Sequence, residues 1–523
     1  MAYRDTRNVL AFGDNGEECQ RKLYNSRVLT VGSDLLSQMI LGGLAGLSVG
    51  HIAFIDNARI DRNDRDFLCS HGDTIIGQKK VRHVEDTLKR INQVIQENIV
   101  GIHSKFAEAF VFEYKPEVVI DATNDPISKE KALRYSIRYC VPFISASSDG
   151  ARSAVAVYVP RNQAKPRVFS ENPNLEALLM QEFSGSKQGS FSSGIAAGLV
   201  CEELRKIKFK YAADGRDDSL KNNFRLVYNM YSDTRTGMIP ESASMPVYFK
   251  NKKALVAGAG GIGNFVALNL ALLGFGVIDV LDLDTIEDHN LNRQILLFER
   301  EGGKKAEVIA ERVKAIDPFA KSNAYAKKVG EVVTKDRPWL EELYRIDRQL
   351  WKKEGEKRDK KFLDFEGFVN FFYGVSDAEK ARGVTLLQKS DFSSSKYDVI
   401  FGCFDNKYAR IWLNNFAVEN RIPYVDGGTG PREGQVSTYI PGATKCVSCQ
   451  KDLMNWARRP FSCANAEGSV VMSNIVIGSA MVGEALRVLY SIGVPNNDSF
   501  VYNAMSNERI GMVRGRNIAS LHC

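Results

Sequence analysis

The segment Gly258-Ala259-Gly260-Gly261-Ile262-Gly263 sets four glycines between two apolar runs. Glycine lets the chain turn sharply and lets backbone approach a phosphate with no Cβ in the way. A helix starting there aims its free N–H groups at the anion. Asp282 closes the next apolar run, where a carboxylate accepts hydrogen bonds from ribose hydroxyls. Many nicotinamide and flavin sites share those two features. A more telling set follows them: Asn290, Arg293 and Gln294 within Asn290-Leu291-Asn292-Arg293-Gln294, then Gly303-Lys304-Lys305. Hydride transfer has no need for cations close to the phosphates, whereas a reaction that gathers negative charge on one phosphorus does. Asp405 follows the run Tyr397-Asp398-Val399-Ile400-Phe401. A carboxylate at a strand's C-terminal end sits in the ligand crevice of an open α/β sheet and can hold Mg2+.

Elements must hold these groups in place. Residues 254–278 carry no charge and are long enough to span a membrane. Their glycine clusters favour a different reading: strand Ala254–Ala257, turn Gly258–Gly263, helix Asn264–Leu273, turn Gly274–Gly276 and strand Val277–Asp282. The same pattern occurs earlier. Residues 28–56 align with 254–282, and the alignment runs on ungapped to pair Gly77 with Gly303 and Lys79 with Lys305. Further on, 118–126 parallels 399–407, 191–207 parallels 471–489, and 227–230 parallels 501–505. The chain thus reads as two copies of one α/β unit, 1–245 and 246–523. Each is a doubly wound, largely parallel, Rossmann-like sheet, and the two pack as an intramolecular pseudo-dimer. Turn-forming residues at 232–252 mark the linker. A charged, aromatic stretch at 335–395 is a helical surface insertion in the second copy; its basic run Lys352–Lys361 is a solvated face or a partner contact.

The copies differ where chemistry would occur. The first copy's turn reads Gly32-Ser33-Asp34-Leu35-Leu36-Ser37. Asp34 puts a negative charge where a phosphate would lie, and Leu35 adds bulk, so this copy is not expected to bind a nucleotide. Asp64 and Phe67 stand where the second copy has Asn290 and Arg293, and Asn124 and Asp125 lie near the position of Asp405.

Composition sets the frame. The 523 residues are 44% hydrophobic and 25% charged, near the globular norm, which excludes a mostly disordered chain, a coiled coil and a collagen-like fibre. A net charge of +7 over this length suits solubility and an anionic ligand but does not announce a nucleic-acid binder. The start, MAYRDTRNVL, has no apolar signal core, and nine cysteines with one close pair do not form a secreted disulfide framework. A cytoplasmic protein is expected, with neither nucleic acid nor membrane as partner.

GAGGIG, then D-x-D-T-x-x-x-x-N-L-N-R-Q, then G-K-K-A, then a strand ending in F-D-N and followed by Arg, resembles the adenylyltransferases that activate ubiquitin-like proteins. These are the ThiF/MoeB-type sulfur-carrier activators and the ubiquitin-activating enzymes. The resemblance covers nearly the whole chain, because the first copy starts with the family's opening, here Arg7-Asn8-Val9-Leu10-Ala11-Phe12-Gly13. It implies ATP-dependent adenylation of a C-terminal glycine carboxylate. In that reading Asp282 holds the ribose and Gly258, Gly260, Gly261 and Gly263 admit the phosphates. Asn290, Arg293 and Lys305 neutralise charge, Asp405 positions Mg2+, and Gln294 occupies a motif position of less defined role. Arg7 resembles the arginine that reaches into the partner copy's site. The implied partner is a ubiquitin-like or sulfur-carrier protein ending in Gly-Gly, with a conjugating enzyme or a sulfurtransferase downstream. Its tail would lie against the Gly-rich Asp426–Pro431 to Gln435 region, which is otherwise an ordinary turn. Alternatives are a relative that adenylates a short ribosomal peptide, a non-catalytic adaptor, and a nicotinamide-dependent oxidoreductase.

Cys446 and Cys449 have the spacing of a zinc knuckle. The family often completes such a site with a second pair near the C-terminus; here Cys523 alone stands there, so the pair is a structural zinc site or two buried thiols. Cys463 matches a place where some relatives form a covalent link to their substrate, so it is a nucleophile or a plain structural cysteine. Cys19, Cys69, Cys140, Cys201 and Cys403 read as packing residues.

Overall fold

The computed structural model describes residues 3–61, 67–68, 75–123, 125–160, 189–209, 224–236, 249–330, 338–354, 364–381, 383–387, 391, 397–451, 468–493, 495–506 and 508–514. Runs rich in Val, Ile and Ala form strands buried on both faces, as parallel sheets covered by helices require. The first half contributes β1 (Arg27–Val31), β2 (His51–Asp56), β3 (Ile99–His103), β4 (Val118–Asp121), β5 (Phe143–Ser148), β6 (Arg152–Tyr158) and β7 (Phe224–Asn229). Their order is β3-β2-β1-β4-β5-β6-β7, parallel as far as β5 and antiparallel beyond it. The second half contributes β8 (Lys253–Ala257), β9 (Val277–Leu281), β10 (Ala324–Tyr325), β11 (Val399–Gly402), β12 (Tyr424–Thr429), β13 (Glu433–Tyr439), β14 (Ser499–Asn503) and β15 (Ile510–Val513). The order β10-β9-β8-β11-β12-β13-β14-β15 repeats the first sheet and adds one antiparallel strand. In both sheets the order reverses at the first strand, the switch point outside which such folds bind ligands.

Helix α1 (Thr6–Phe12) opens the chain. The helix after β1, α2 (Leu35–Gly46), is buried all round, and α3 (Lys80–Ile91) covers the sheet beside it. Helix α4 (Ser190–Phe209) precedes β7. In the second half their counterparts are α5 (Gly261–Leu273), α6 (Lys305–Ile316) and α9 (Val471–Leu489), with α7 (Lys407–Glu419) and α8 (Val447–Lys451) between them. The glycine-rich segment is therefore strand, turn and helix as expected, except that α5 starts inside the turn, at Gly261. Among the described residues one helix, α9, is long and apolar enough to cross a membrane, and 94% of its apolar window is buried inside the protein.

Helices α2, α4, α5 and α9 bury one apolar core that spans both halves. Small residues let them approach: a Cβ on Gly198 would lie 2.5 Å from Val476, and one on Gly483 would lie 3.2 Å from Phe191. Each half also sends an arginine into the other half's long helix. Arg235, after β7, pairs with Glu484 at 2.6 Å; Arg509, after β14, pairs with Glu203 at 3.0 Å. Both arginines stand at positive φ, 57° and 58°. Lys206 donates to the carbonyl of Ala504, and Arg487 donates to that of Met230. These contacts exchange under a two-fold relation, as a symmetric dimer interface would.

The insertion is helical over Pro338–Glu354 and Phe365–Tyr373. It is more than a surface appendage: Trp339, Leu340, Leu343, Phe368, Val369 and Tyr373 bury against Tyr408, Ile411 and Trp412 of α7 in a second core. Most of the basic run lies outside the described residues.

Candidate active site

The turn between β8 and α5 is fixed from three sides. Gly258 has φ +104°, and a Cβ on Gly263 would fall 1.8 Å from the Gly258 carbonyl oxygen. Those two glycines are demanded by the turn itself. Gly261 abuts the Asn474 side chain, whereas a Cβ on Gly260 would meet nothing within 4 Å, so the turn is open on that side. Asn264 locks the arrangement: its Nδ2 donates to the carbonyls of Ala259 and Gly260 at 2.9 Å each, and its Oδ1 accepts from the Leu296 N–H at 3.0 Å.

Asp282 lies just past β9, where its Oδ2 accepts from the Ala259 N–H at 2.6 Å and its Oδ1 from the Asp284 N–H at 2.8 Å. Burial pushes its carboxyl up to about 6, against the pull of Lys305. The carboxylate is thereby held at the rim of the turn. Lys305, the first residue of α6, is 7% exposed and reaches Asp284 at 2.9 Å.

The Asn290–Gln294 element wraps past the same rim. Asn290 Oδ1 accepts from the Glu287 N–H at 3.1 Å. Arg293 donates to the His289 carbonyl at 2.8 Å and to Asn292 Oδ1 at 2.9 Å. Burial first and the charge of Arg7 second lower the Arg293 guanidinium to about 10, with Asp405 opposing them. Gln294 is 3% exposed, and its buried Oε1 has no hydrogen-bond partner among the described residues.

Arg7 comes from the first half. The turn before α1 bridges the two halves through Arg4, which donates to the Ile91 carbonyl of the first half and to the Leu291 carbonyl of the second at 2.8 Å each. Asn292 donates to Asn8 Oδ1 at 2.8 Å, and the Ser469 N–H donates to the Arg7 carbonyl at 3.3 Å. Asp405 follows β11 and is exposed. It is not the cap of α7: Asn406 is, accepting from the N–H groups of Tyr408 and Ala409. Arg7 and Asp405 thus both act on the charge of Arg293, as Lys305 acts on that of Asp282.

His289 is a member of this group that its sequence position does not reveal. Burial lowers its imidazole, as do Arg7, Arg293 and Lys305, while Glu287, 3.1 Å away, opposes them. Only its neighbourhood in the chain, between Asn290 and an acidic pair, carried any signal.

The first half has a different arrangement around the same elements. Asp56 accepts from the Ser33 N–H at 2.7 Å, from Ser33 Oγ at 2.8 Å and from the Ala58 N–H at 2.9 Å, matching Asp282. Asp34, at the N-terminus of α2, forms an ion pair with Lys80 at 3.1 Å. Lys80 begins α3 as Lys305 begins α6, and the bridges Arg59↔Lys79 and Thr285↔Lys304 fix that register. The ungapped pairing of Lys79 with Lys305 is therefore corrected: the loop before the helix is one residue longer in the first half, and Gly77 corresponds to Gly302, both near φ +80°. Phe67 packs toward Gly42 of the core, while Asp64 and Asn124 lie outside the described residues.

Residues Asp426–Pro431 form the end of β12 and a hairpin into β13. A Cβ on Gly427 would strike Met481 Sδ at 2.2 Å, so packing from beneath already requires that glycine. Cys446 and Cys449 are buried with their sulfurs 3.3 Å apart. They supply two of the four donors a structural zinc takes. Among the described residues no group of three His, Cys, Asp or Glu could hold a metal, and Cys523 lies outside them. The zinc site is not supported. Cys463 also lies outside the described residues. Cys19, Cys201 and Cys403 are buried, as packing residues should be, whereas Cys140 is half-buried and Cys69 lies outside the described residues.

The chain is 26% identical over 204 residues to a ubiquitin-activating enzyme E1-like protein of Saccharomyces cerevisiae, covering 39% of this chain and 23% of that one. It is 30% identical over 218 residues to the NEDD8-activating enzyme E1 catalytic subunit of Caenorhabditis elegans, covering 39% and 37%. It is 29% identical over 197 residues to the SUMO-activating enzyme subunit uba-2 of the same organism, covering 38% and 25%. The chain thus matches less than two fifths of the length of each of these relatives. Among solved structures, E. coli MccB with succinimide shows a TM-score of 0.35 at 21% identity, over 53% of this chain and 67% of that one. The ThiF family profile matches residues 6–245, 248–347 and 375–520, nearly the whole chain on both sides of the insertion. Two Rossmann-like sheets of matching strand order, one in each half, fit that match, and the chain belongs to the ThiF family.

Proposed function

We propose that this protein uses ATP to adenylate the C-terminal glycine carboxylate of a ubiquitin-like or sulfur-carrier protein. One observation carries the reading: the second half's turn is open at Gly260, where the first half has Asp34 paired with Lys80 at 3.1 Å.

In this reading the adenosine ribose hydroxyls donate to Asp282. The phosphates lie over the Gly260 opening, against the N–H groups at the start of α5. Asn290 Nδ2, Arg293, Lys305 and Arg7 face the charge that builds as a carboxylate oxygen attacks the α-phosphorus. A new P–O bond forms, the bond to the leaving pyrophosphate breaks, and an acyl-adenylate remains. Asp405 offers an exposed oxygen donor on the open side, the donor type that Mg2+ takes, and its charge already reaches Arg293. Mg2+, when bound, neutralises phosphate charge. Lys305 leaves Asp284 for the phosphates, because Asp284 is largely exposed and water can take over that carboxylate. Cys463 is the candidate thiolate for the next step: its sulfur attacks the acyl carbonyl, AMP leaves, and a thioester forms for a conjugating enzyme or a sulfurtransferase. The activity draws on cytoplasmic ATP.

The test is exchange of labelled pyrophosphate into ATP by the purified chain supplied with small proteins ending in Gly-Gly. Exchange that depends on such a protein, and disappears when its last glycine is deleted, supports the reading. Absence of exchange with every candidate, together with no ATP binding, overturns it.

A further inference from the structure

We infer that Arg410, Asp426 and Lys451 form a buried charge relay that sets the loop carrying Asp405 against β12, and so act as positioning residues for the adenylation site. The inference rests on the reading above and adds residues to which nothing yet assigns a role in that site.

Asp426 sits mid-strand in β12 and is fully buried. A lone buried carboxylate is costly, so its partners must be close and complete. Its Oδ2 accepts from Arg410 Nη1 at 3.1 Å and from Lys451 Nζ at 2.8 Å; its Oδ1 accepts from the Tyr424 hydroxyl at 2.8 Å. Burial pushes its carboxyl up, yet Arg410 and Lys451 hold it below the ordinary carboxylate range. It is therefore a charged hub and not a neutral acid.

Arg410 distributes that charge. Its Nε donates at 2.6 Å to the carbonyl of Phe404, the residue before Asp405. A Cβ on Gly428 would lie 3.2 Å from its Nη1, so the guanidinium also lies directly beneath β12. One planar group thus touches the Asp405 loop, the hub and the strand proposed to meet the acyl tail. Lys451 ends α8 and ties the hub to the point where the chain leaves toward Cys463.

The first half separates what the fold needs from what the site adds. By sheet register Gly402 matches Asp121 and Asp426 matches Ser145, and Lys129 stands on the helix where the second half has Arg410. Lys129 pairs with Asp121 at 3.3 Å, both fully buried. A buried ion pair under the sheet is common to both halves. The half with the open turn has moved the acid one strand over and replaced a point-charge ammonium by a fork. An arginine fork holds one carboxylate and one carbonyl in fixed relative geometry, which an ammonium does not.

The experiment uses the full chain, with Arg410→Lys and Lys451→Met. Binding of a fluorescent ATP analogue is followed across a magnesium titration, and amide exchange of residues 404–406 is followed without nucleotide. Arg410→Lys should keep the melting temperature near wild type, raise the half-saturating magnesium concentration about tenfold, and speed exchange of the loop. Lys451→Met should do the same by about threefold. Unchanged magnesium dependence and unchanged exchange in a folded Arg410→Lys protein overturn the relay. Should that variant fail to fold, Lys451→Met decides by the same two readouts. A wild-type chain that binds no ATP at any magnesium concentration overturns the adenylation reading instead, and the exchange measurement still decides the relay.

Discussion

The turns after β1 and β8 begin with a glycine at φ +111° and +104° and end against an aspartate that accepts the next backbone N–H, yet they treat one lysine differently. In the first half Lys80 is claimed by Asp34, a side chain growing from the turn itself. In the second half Lys305 rests on Asp284, outside the turn, and Gly260 leaves the space above it open. The first half did not lose its cation. It supplied an internal anion for it. A carboxylate tethered to the helix N-terminus competes with any phosphate without the entropic cost of binding. The difference teaches that one fold can answer the same buried lysine with an acid inside the turn or with one outside it. In the proposed function the first half also lends Arg7 to the second half's site.

Breaking the charge side of this comparison should have the largest effect. Arg293→Ala removes a half-buried cation that the proposed function sets at the phosphates and should lower pyrophosphate exchange by about 10³-fold, roughly 4 kcal/mol of transition-state stabilisation. Arg7→Ala should lower exchange by about 10²-fold with the melting temperature unchanged, measured in the same assay; an unaffected rate would sever the two halves' cooperation. Next come the two interface arginines. Arg235→Ala takes the arginine from buried Glu484, and Arg509→Ala leaves buried Glu203 only Lys206 at 3.9 Å; each should cost about 3 kcal/mol in urea unfolding. Unequal losses would show that the two-fold relation is one of shape and not of energy.

Gly260→Asp copies the first half's device into the second. Lys305 should be captured and ATP affinity should fall about 10²-fold by calorimetry, while the fold is retained. Asp282 predicts a pH effect. Its folded carboxyl stands near 6, above its unfolded value, so the folded state holds the proton between roughly pH 4 and 6 and stability falls as pH rises through that window. Ribose binding needs the ionised form. ATP affinity should therefore drop by up to about tenfold per unit as pH is lowered below 6, a drop that Asp282→Asn abolishes. The smallest effect is the reverse exchange, Asp34→Gly. It removes the Asp34–Lys80 ion pair, and because Asp34 is partly exposed the loss should be about 1 kcal/mol in thermal unfolding.

Much of this was legible in the amino-acid sequence. Repeated strand, turn and helix patterns gave two doubly wound sheets, because apolar runs and glycines act locally and their period needs no partner. The asymmetry of the turns was visible for the same reason, as was the line-up of Asp282, Arg293 and Lys305. Tertiary structure decided the rest. A one-residue difference in the loop before α3 lies hidden in an ungapped alignment, and only the bridge to Lys79 shows that Lys80 is the true counterpart of Lys305. Asn406 and not Asp405 caps α7, since capping depends on where a side chain points. The insertion's aromatic residues bury because α7 offers them an apolar face. Arg235 meets Glu484, and Arg410 meets Asp426 and the Phe404 carbonyl, across distances in sequence that no periodicity encodes. Local chemistry is written in spacing; the pairing of buried charges is settled only when the chain has closed around them, because each must find its partner or forfeit its solvation.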